Sequence, residues 1–241
     1  MSQSLQSLLL DGTARMGLSV SAAQAARFER YHALLTEANA RMNLTRVPDD
    51  PCEAVFRNYL DCISPLAGDF PDVETAVDVG SGAGFPGIPM AILRPDIRFT
   101  LLDALDKRVA FLQRVIDDLG LNARAVHLRA EDAARRPDLR ERFDLAVARA
   151  VAPMAVLAEY LLPFAKPGGW MLAMKGPGLD AELAQAGPAL EALGGALVRV
   201  EPLEIPGRDW AHSAAWVRKE RPTPDKYLRR AGLPEKRPLG L

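Results

Sequence analysis

The sequence predicts an α/β fold, with a doubly wound, mostly parallel sheet behind a small helical N-terminal layer. Three observations predict it. Residues 1 to about 70 carry apolar side chains at helical spacing, without strand-like alternation. From about residue 74, short apolar runs alternate with helical segments of about 10–15 residues. The first of these runs enters "VDVGSGAGFPGIPMAI", residues 77–92, a glycine loop between strand and helix. The chain therefore divides into a helical extension (1–70), a sheet core (71–220) and a basic tail (221–241).

In "SAAQAARFERYHALLTEANARM", Phe28, Tyr31, Leu34, Leu35 and Met42 share one face, and Ser21 is the candidate cap. A second helix runs through "EAVFRNYLDCISPLA" and buries Phe56, Tyr59, Leu60 and Ile63. "ETAVDV" reads as the first strand, and "GIPMAIL" opens the helix after the glycine loop. "RFTLLDA" is the second strand, followed by the helix "DKRVAFLQRVIDDLG", which stops on Gly120. "ARAVHLRAED" and "RFDLAVARAV" are the third and fourth strands. The helix "MAVLAEYLLPFA" and a turn at "KPGG" lead to the strand "WMLAMKG". A helix over 179–193 precedes two more strands, "ALVRVEPL" and "HSAAWVRKE". The Pro-, Lys- and Arg-rich tail is expected to be extended.

With 49% hydrophobic residues the chain can build a substantial core, and 25% charged residues is ordinary for a soluble protein. No apolar run approaches the roughly 18 residues of a membrane span. No basic segment precedes the leucines of "MSQSLQSLLLDG", so no signal peptide is expected and the reading is cytoplasmic. Cys52 and Cys62 form no framework, and His32, His127 and His212 are scattered, so no metal is expected. "NLT" at 43–45 reads only as a turn. From Arg218 onward, eight Lys/Arg stand against three Asp/Glu, a local charge of +5, whereas the rest of the chain carries −6. A basic tail on an acidic body fits an anionic macromolecular partner, against the plainer reading of a solvated tail.

The glycine loop admits two readings. Gly82, Gly84 and Gly87 fit a dinucleotide fingerprint. Asp78 with Gly80, Gly82 and Gly84 fits the acidic-x-G-x-G-x-G loop of S-adenosylmethionine enzymes. Asp103 closes the second strand about 20 residues on, where a carboxylate can accept hydrogen bonds from ribose hydroxyls; alone, it could equally cap the following helix. Three details favour the sulfonium cofactor. Asp78 puts an anion where a pyrophosphate would sit. Pro86 and Pro89 weaken the helix start as a phosphate clamp. "RAED" (129–132) ends the third strand with polar groups that could reach an adenine amino group.

Arg149 follows an apolar strand, where a buried arginine needs a reason. It is either the partner of Asp132 or Glu131, or an orienting group at the mouth of the site, with Lys175 as its companion on a cationic rim. Glu29 and His32 read as a surface helix rather than a catalytic pair. The two cysteines read as buried or half-buried thiols, and Trp170, Trp210 and Trp216 as core or edge residues.

"NLTRV", "VDVGSGAGFPGIPMAI", "LLDALDKRVAFLQRV", "RAED", "FDLAVARAVAP", "MKG" and "PTPDKYLRRAGLPEKRPLG" together resemble the 16S ribosomal RNA guanine-N7 methyltransferases, the methyltransferase G family, also called glucose-inhibited division protein B. The resemblance runs from about Asn43 to the C-terminus. It implies a class I S-adenosylmethionine-dependent methyltransferase, Rossmann-like with a seven-stranded sheet, acting on 16S ribosomal RNA or the small ribosomal subunit. It places cofactor contacts on Gly80, Phe85, Ala130, Glu131 and Arg149, with Asp103-Ala104-Leu105 on the ribose side, and it keeps a basic pair at Lys107 and Arg108. Where many members carry histidine, this chain has Asn58, so a mechanism needing that histidine is not implied here.

The sparse catalytic groups agree with such a reaction. Guanine N7 has a free lone pair and no proton, so methyl transfer needs alignment rather than a general base. Arg149 and Lys175 are the candidate orienting groups. Lys107, Arg108, Lys226, Arg229, Arg230, Lys236 and Arg237 are the candidate RNA contacts, and removing the tail is expected to spare cofactor binding. A small-molecule methyltransferase and a cofactor-binding regulator remain the alternatives; the first would lack the basic tail.

Overall fold

Strands β1 (Thr75–Val79), β2 (Arg98–Asp103), β3 (Ala123–His127), β4 (Phe143–Arg149), β5 (Ala165–Lys175), β6 (Gly195–Pro202) and β7 (Ser213–Lys219) form one sheet in a computed structural model. The structure describes residues 4–42, 44–45, 48, 50–149 and 152–240, with the side chains of Met42 and Pro51 also left aside. The expectations at Met42, Asn43 and residues 150–151 therefore fall outside what is described. The strand order is β3-β2-β1-β4-β5-β7-β6, with β7 antiparallel to both neighbours and every other pair parallel. The order reverses between β1 and β4, and in such sheets ligands settle beyond the strand ends at that switch.

Both faces of the sheet are covered, so its central strands are apolar on alternate and intervening positions alike. Leu145 and Val147 of β4 join a core made with α1 (Leu5–Arg15), α2 (Ala22–Met42), α5 (Gly87–Leu93) and α6 (Asp106–Leu119). Ala146 and Ala148 face the other core, made with α8 (Met154–Leu161), α9 (Leu179–Ala192) and the tail residues Tyr227 and Leu228. Between α2 and the sheet, the chain coils through α3 (Pro51–Ala54), a π-helical turn at Val55–Leu60, α4 (Asp61–Ile63) and a 3-10 turn at Ser64–Ala67.

Phe28, Tyr31, Leu34 and Leu35 are buried as their spacing predicts. Ser21 does cap α2, in a reciprocal box: Gln24 N–H donates to its Oγ at 3.2 Å, and Gln24 Oε1 accepts from Ser21 N–H at 3.0 Å. Tyr59, Leu60 and Ile63 are buried, whereas Phe56 is half-buried under the Arg208 guanidinium, 4.3 Å from the ring. Trp216 is core, and Trp170 and Trp210 are half-buried.

Helix α1 falls within the helical extension expected over 1–70, which the sequence reading did not divide there. Three expectations change. The third strand ends at His127, and Ala130–Ala133 is a short helix, α7, because the chain turns after Leu128. "KPGG" is not a turn: β5 already pairs with β4 at Ala165, across a register shift, and Gly169 permits this because a Cβ there would meet Asp144 O at 2.8 Å. The tail is not extended. Pro234, Tyr227 and Leu228 are buried, and a last helix, α10, spans Leu233–Lys236. Arg140 donates to Thr223 O and Tyr227 O at 2.7 Å each, and Arg229 meets the fully buried Glu159 at 2.6 Å. Buried carboxylates require partners, and this one takes its partner from the tail.

Candidate active site

β1 delivers the chain into the glycine loop where the strand order reverses. Gly80 N–H and Ser81 N–H both donate to Leu102 O, at 2.8 and 3.1 Å, which stitches the loop to the end of β2. Gly80 has φ +76° and Gly82 φ +60°, backbone that a residue with Cβ resists. Asp103 is buried beside them. Its Oδ2 accepts from Gly82 N–H and its Oδ1 from Leu105 N–H, both at 2.9 Å, so it braces the loop rather than capping α6. A carboxylate has about four acceptor positions. Two remain for hydroxyl donors.

Two other loop residues serve from below. Asp78 is fully buried and lines neither of the two cavities at Gly80, contrary to its expected place at the ligand. Its Oδ2 accepts from Gly87 N–H at 3.0 Å, and Oδ1 has no partner among the described residues. Burial pushes the carboxyl up to about 7, against the pull of the Gly87 hydrogen bond. Gly84 likewise faces protein. A Cβ there would lie 2.5 Å from Ile88 and 3.0 Å from the Tyr31 hydroxyl. That hydroxyl donates to Ala83 O at 2.6 Å, so α2 holds the loop directly.

Two cavities meet at Gly80. The smaller, about 210 Å³, is lined by Asp103, Ala104, Ala130 and Glu131, as the sequence suggested, and also by residues of the tail. The larger, about 430 Å³, is lined by Gly82, Phe85, Arg108, Arg149 and Lys175. Together they are of the size that small-molecule sites occupy, about 300–1,000 Å³. Acceptors at one end, a glycine-walled waist and charged groups at the other fit an adenine, a ribose and an amino-acid chain in turn. A bulkier hollow of about 770 Å³ lies alongside, between Ser64–Gly68 and 201–210. It shares Leu203 and Trp210 with the larger cavity, but no glycine-loop residue lines it, and Glu201, Glu204 and Asp209 stand on its wall.

Arg149 ends β4 inside the larger cavity, and its partner is neither Asp132 nor Glu131. Nη1 donates to Asp61 Oδ2 at 2.9 Å and to Arg57 O at 2.8 Å, with the guanidinium 5.0 Å over the Phe85 ring. Burial works against its charge, but neighbouring Cys62 and Asp61 outweigh it and hold the group more firmly protonated than usual. Asp61 Oδ1 lies 2.8 Å from His212 Nδ1, so one carboxylate joins three distant segments. Asn58, buried on the same wall, leaves Nδ2 unpartnered among the described residues. The sequence reading missed Asp61 and His212 as site residues; the "NYLDCI" stretch that singled out Asn58 contains Asp61 and could have found it.

The cationic rim is mostly neutralised. Lys175 pairs with Glu182 at 2.7 Å and donates to Ala152 O at 2.8 Å, fastening the starts of α8 and α9. Arg108 lies 3.5 Å from Asp103. Arg229 is committed to Glu159, which removes it from the RNA-contacting set. Lys107, Lys226, Arg230, Lys236 and Arg237 remain exposed. His127 is exposed beside Asp106 and lines neither cavity of the site. His32 is not a plain surface group, since its Nδ1 meets the Tyr59 hydroxyl at 2.8 Å; Glu29 faces solvent.

The family model described as rRNA small subunit methyltransferase G matches residues 24–209. The chain belongs to that family. It is 45% identical to the ribosomal RNA small subunit methyltransferase G of Lactobacillus johnsonii, over 94% of this chain and 96% of that one. The protein of the same name from Pelotomaculum thermopropionicum is 42% identical, over 98% and 99%. Among solved structures, a branched-chain polyamine synthase mutein from Thermus thermophilus overlays with TM-score 0.55 at 15% identity, over 83% of this chain and 65% of that one. M. jannaschii TYW2 in complex with AdoMet gives 0.50 at 15% identity, over 68% and 77%. These likenesses show the fold alone. Among the described residues, no helix is long and apolar enough to cross a membrane, and no cluster of His, Cys, Asp or Glu could hold a metal ion.

Proposed function

We propose that this chain transfers a methyl group from S-adenosylmethionine to N7 of one guanine in 16S ribosomal RNA, free or within the small subunit. The observation that carries the reading is the pair of cavities meeting at Gly80, one lined with acceptors for an adenosine and the other with Arg149 held by Asp61. Gly80, Asp103, Ala130 and Glu131 would hold the adenosine end; Gly82 and Phe85 lie toward the methyl-bearing end. Bound there, the cofactor would supply a sulfonium methyl group to the in-plane N7 lone pair, with a neutral thioether as leaving group.

The chain's own work is placement. Half-buried Trp210 lines the larger cavity with Arg57 4.9 Å from its ring, a setting in which a base turned out of its stack can rest, and Phe85 lies beneath Arg149 on the same wall. Positive charge moves onto the guanine during transfer. Arg149 beside it would oppose that movement if bare, and Asp61 cancels its field. Alignment of this kind is worth about 7–11 kcal/mol in favourable cases. The exposed Lys107, Lys226, Arg230, Lys236 and Arg237 would meet phosphate.

His212 with Asp61 favours a second reading, because a carboxylate-backed histidine is the usual form of a general base. Methylation at an exocyclic guanine amine would need one; N7 does not. Single-turnover rates separate the two. For N7 the rate stays nearly flat from about pH 6 to 9, and borohydride with aniline cleaves the product RNA at one guanine. A rate that climbs with pH and is lost on His212→Ala, with no cleavage, establishes the amine instead. Arg149→Ala is expected to lower the rate about 10²-fold in either case, as misplacement of a reactant does.

A further inference from the structure

The C-terminal segment is held at one place by contacts that differ in kind. Arg229 grips buried Glu159, Gly232 N–H donates to Glu131 Oε1 at 3.2 Å, and the Tyr160 hydroxyl donates to Glu235 Oε1 at 3.3 Å. Two of these three anchors, Glu131 and Tyr160, line the smaller cavity, and so do Gly232 and Glu235 themselves. We propose that Gly232 and Glu235 form the outer wall of the adenosine half of the cofactor site, so that cofactor binding depends on a segment whose sequence marks it only for RNA. This rests on the assignment of that cavity to adenosine.

The chemistry of the wall suits the ligand. Asp103, Glu131 and Glu235 surround the cavity with acceptors, which match the ribose hydroxyls and the adenine amino group, both donors. Three carboxylates in one small hollow also repel phosphate, so the site takes a nucleoside thioether or sulfonium and refuses an adenine nucleotide.

Calorimetry with S-adenosylhomocysteine on the full chain tests the wall. Glu235→Ala removes an exposed side chain with one hydrogen bond, so the fold is retained, and binding is expected to weaken about two- to tenfold. In the unaltered protein, saturating S-adenosylhomocysteine should slow amide exchange over 223–237 and leave α9 unchanged, while ADP should leave both segments unchanged. Asp103→Ala is the reference. If it weakens binding while Glu235→Ala and exchange over 223–237 show no change, the wall is overturned and the cavity assignment stands. If neither substitution alters binding, the cavity assignment falls and takes the wall with it.

Discussion

The two ends of the chain grip the same strand-end crevice from opposite sides, and they do so with different physics. The N-terminal layer reaches it with rings. Tyr31 and Tyr59 pack against Phe85 with centroids 5.7 and 6.3 Å away, and Tyr31 reaches Ala83 O. The C-terminal segment reaches it with charge: Arg229 on buried Glu159, and Gly232 N–H on the Glu131 carboxylate at 3.2 Å. At the opposite end of the sheet, where β7 stops, fully buried Lys219 pairs with Glu141 at 3.1 Å, and burial pushes its amine down to about 8, with Glu141 opposing the drop. Ring packing tolerates loss in small steps. A buried ion pair fails all at once, because removing one partner strands the other.

The largest expected effect is therefore at the tail. Arg229→Ala should cost about 3–5 kcal/mol in denaturant unfolding, since Glu159 is then left charged and buried. Combining it with Glu159→Gln should recover much of that loss; a loss of less than about 1 kcal/mol for Arg229→Ala would mean that the tail is held by its apolar contacts alone.

Next comes the loop that both ends clasp. Asp78 ordinarily ionises near 3.8 but here near 7, so the folded protein holds a proton that the unfolded chain has released. Stability of the cofactor-free protein should fall as pH rises from about 4 to about 7 and level off above. The total loss should be a few kcal/mol, because each pH unit crossed between those two values removes about 1.36 kcal/mol. Asp78→Asn should flatten that dependence in melting curves taken across the range.

On the N-terminal side, Tyr31→Phe removes one buried hydrogen bond and leaves Ala83 O unsatisfied, a cost of about 1–3 kcal/mol. Its unfolding transition should shift less than that of Arg229→Ala. The reverse ranking would invert the comparison. The smallest effects belong to the exposed tail cations. Arg230→Ala or Lys236→Ala should leave stability unchanged and lower the salt dependence of RNA binding by about one unit each, read from binding isotherms at several salt concentrations. Arg229 should not behave this way.

What is legible in the sequence follows from where the information lies. The alternation of strands, glycine loop and helices is local, and it is enough to place Gly80, Asp103, Ala130 and Arg149 at strand ends. The pairing of Arg149 with Asp61 spans 88 residues, and that of Asp61 with His212 spans 151. Neither leaves a periodic trace, so the sequence alone points Arg149 at the nearer Asp132 or Glu131. The tail misleads for a related reason. Its prolines and cations look solvated in isolation, and the carboxylates that hold it, Glu131 through Gly232 N–H, Glu141 through Thr223 N–H and Glu159 through Arg229, sit in remote elements. Composition records charge but not its partner. Lys175 reads as a free cation and is answered by Glu182 in the same way.

The π-helical turn at Val55–Leu60 carries a consequence for how this chain can change length. An ordinary helix advances about 100° per residue, so two stripes set by a wider turn fall out of phase when the turn is narrowed. Here one stripe, with Val55, Tyr59 and Cys62, is locked into the core, and another brings Asn58 and Asp61 to the cavity. Deleting one residue within 55–60 would let the segment regain regular pitch and keep its core contacts. Asp61, next to Cys62, would stay beside Arg149, while Asn58, inside the turn, would leave the cavity wall in a protein that still folds. Insertions and deletions are usually tolerated at loop tips and rejected inside helices for reasons of stability. In this helix, the penalty for a deletion would fall on activity.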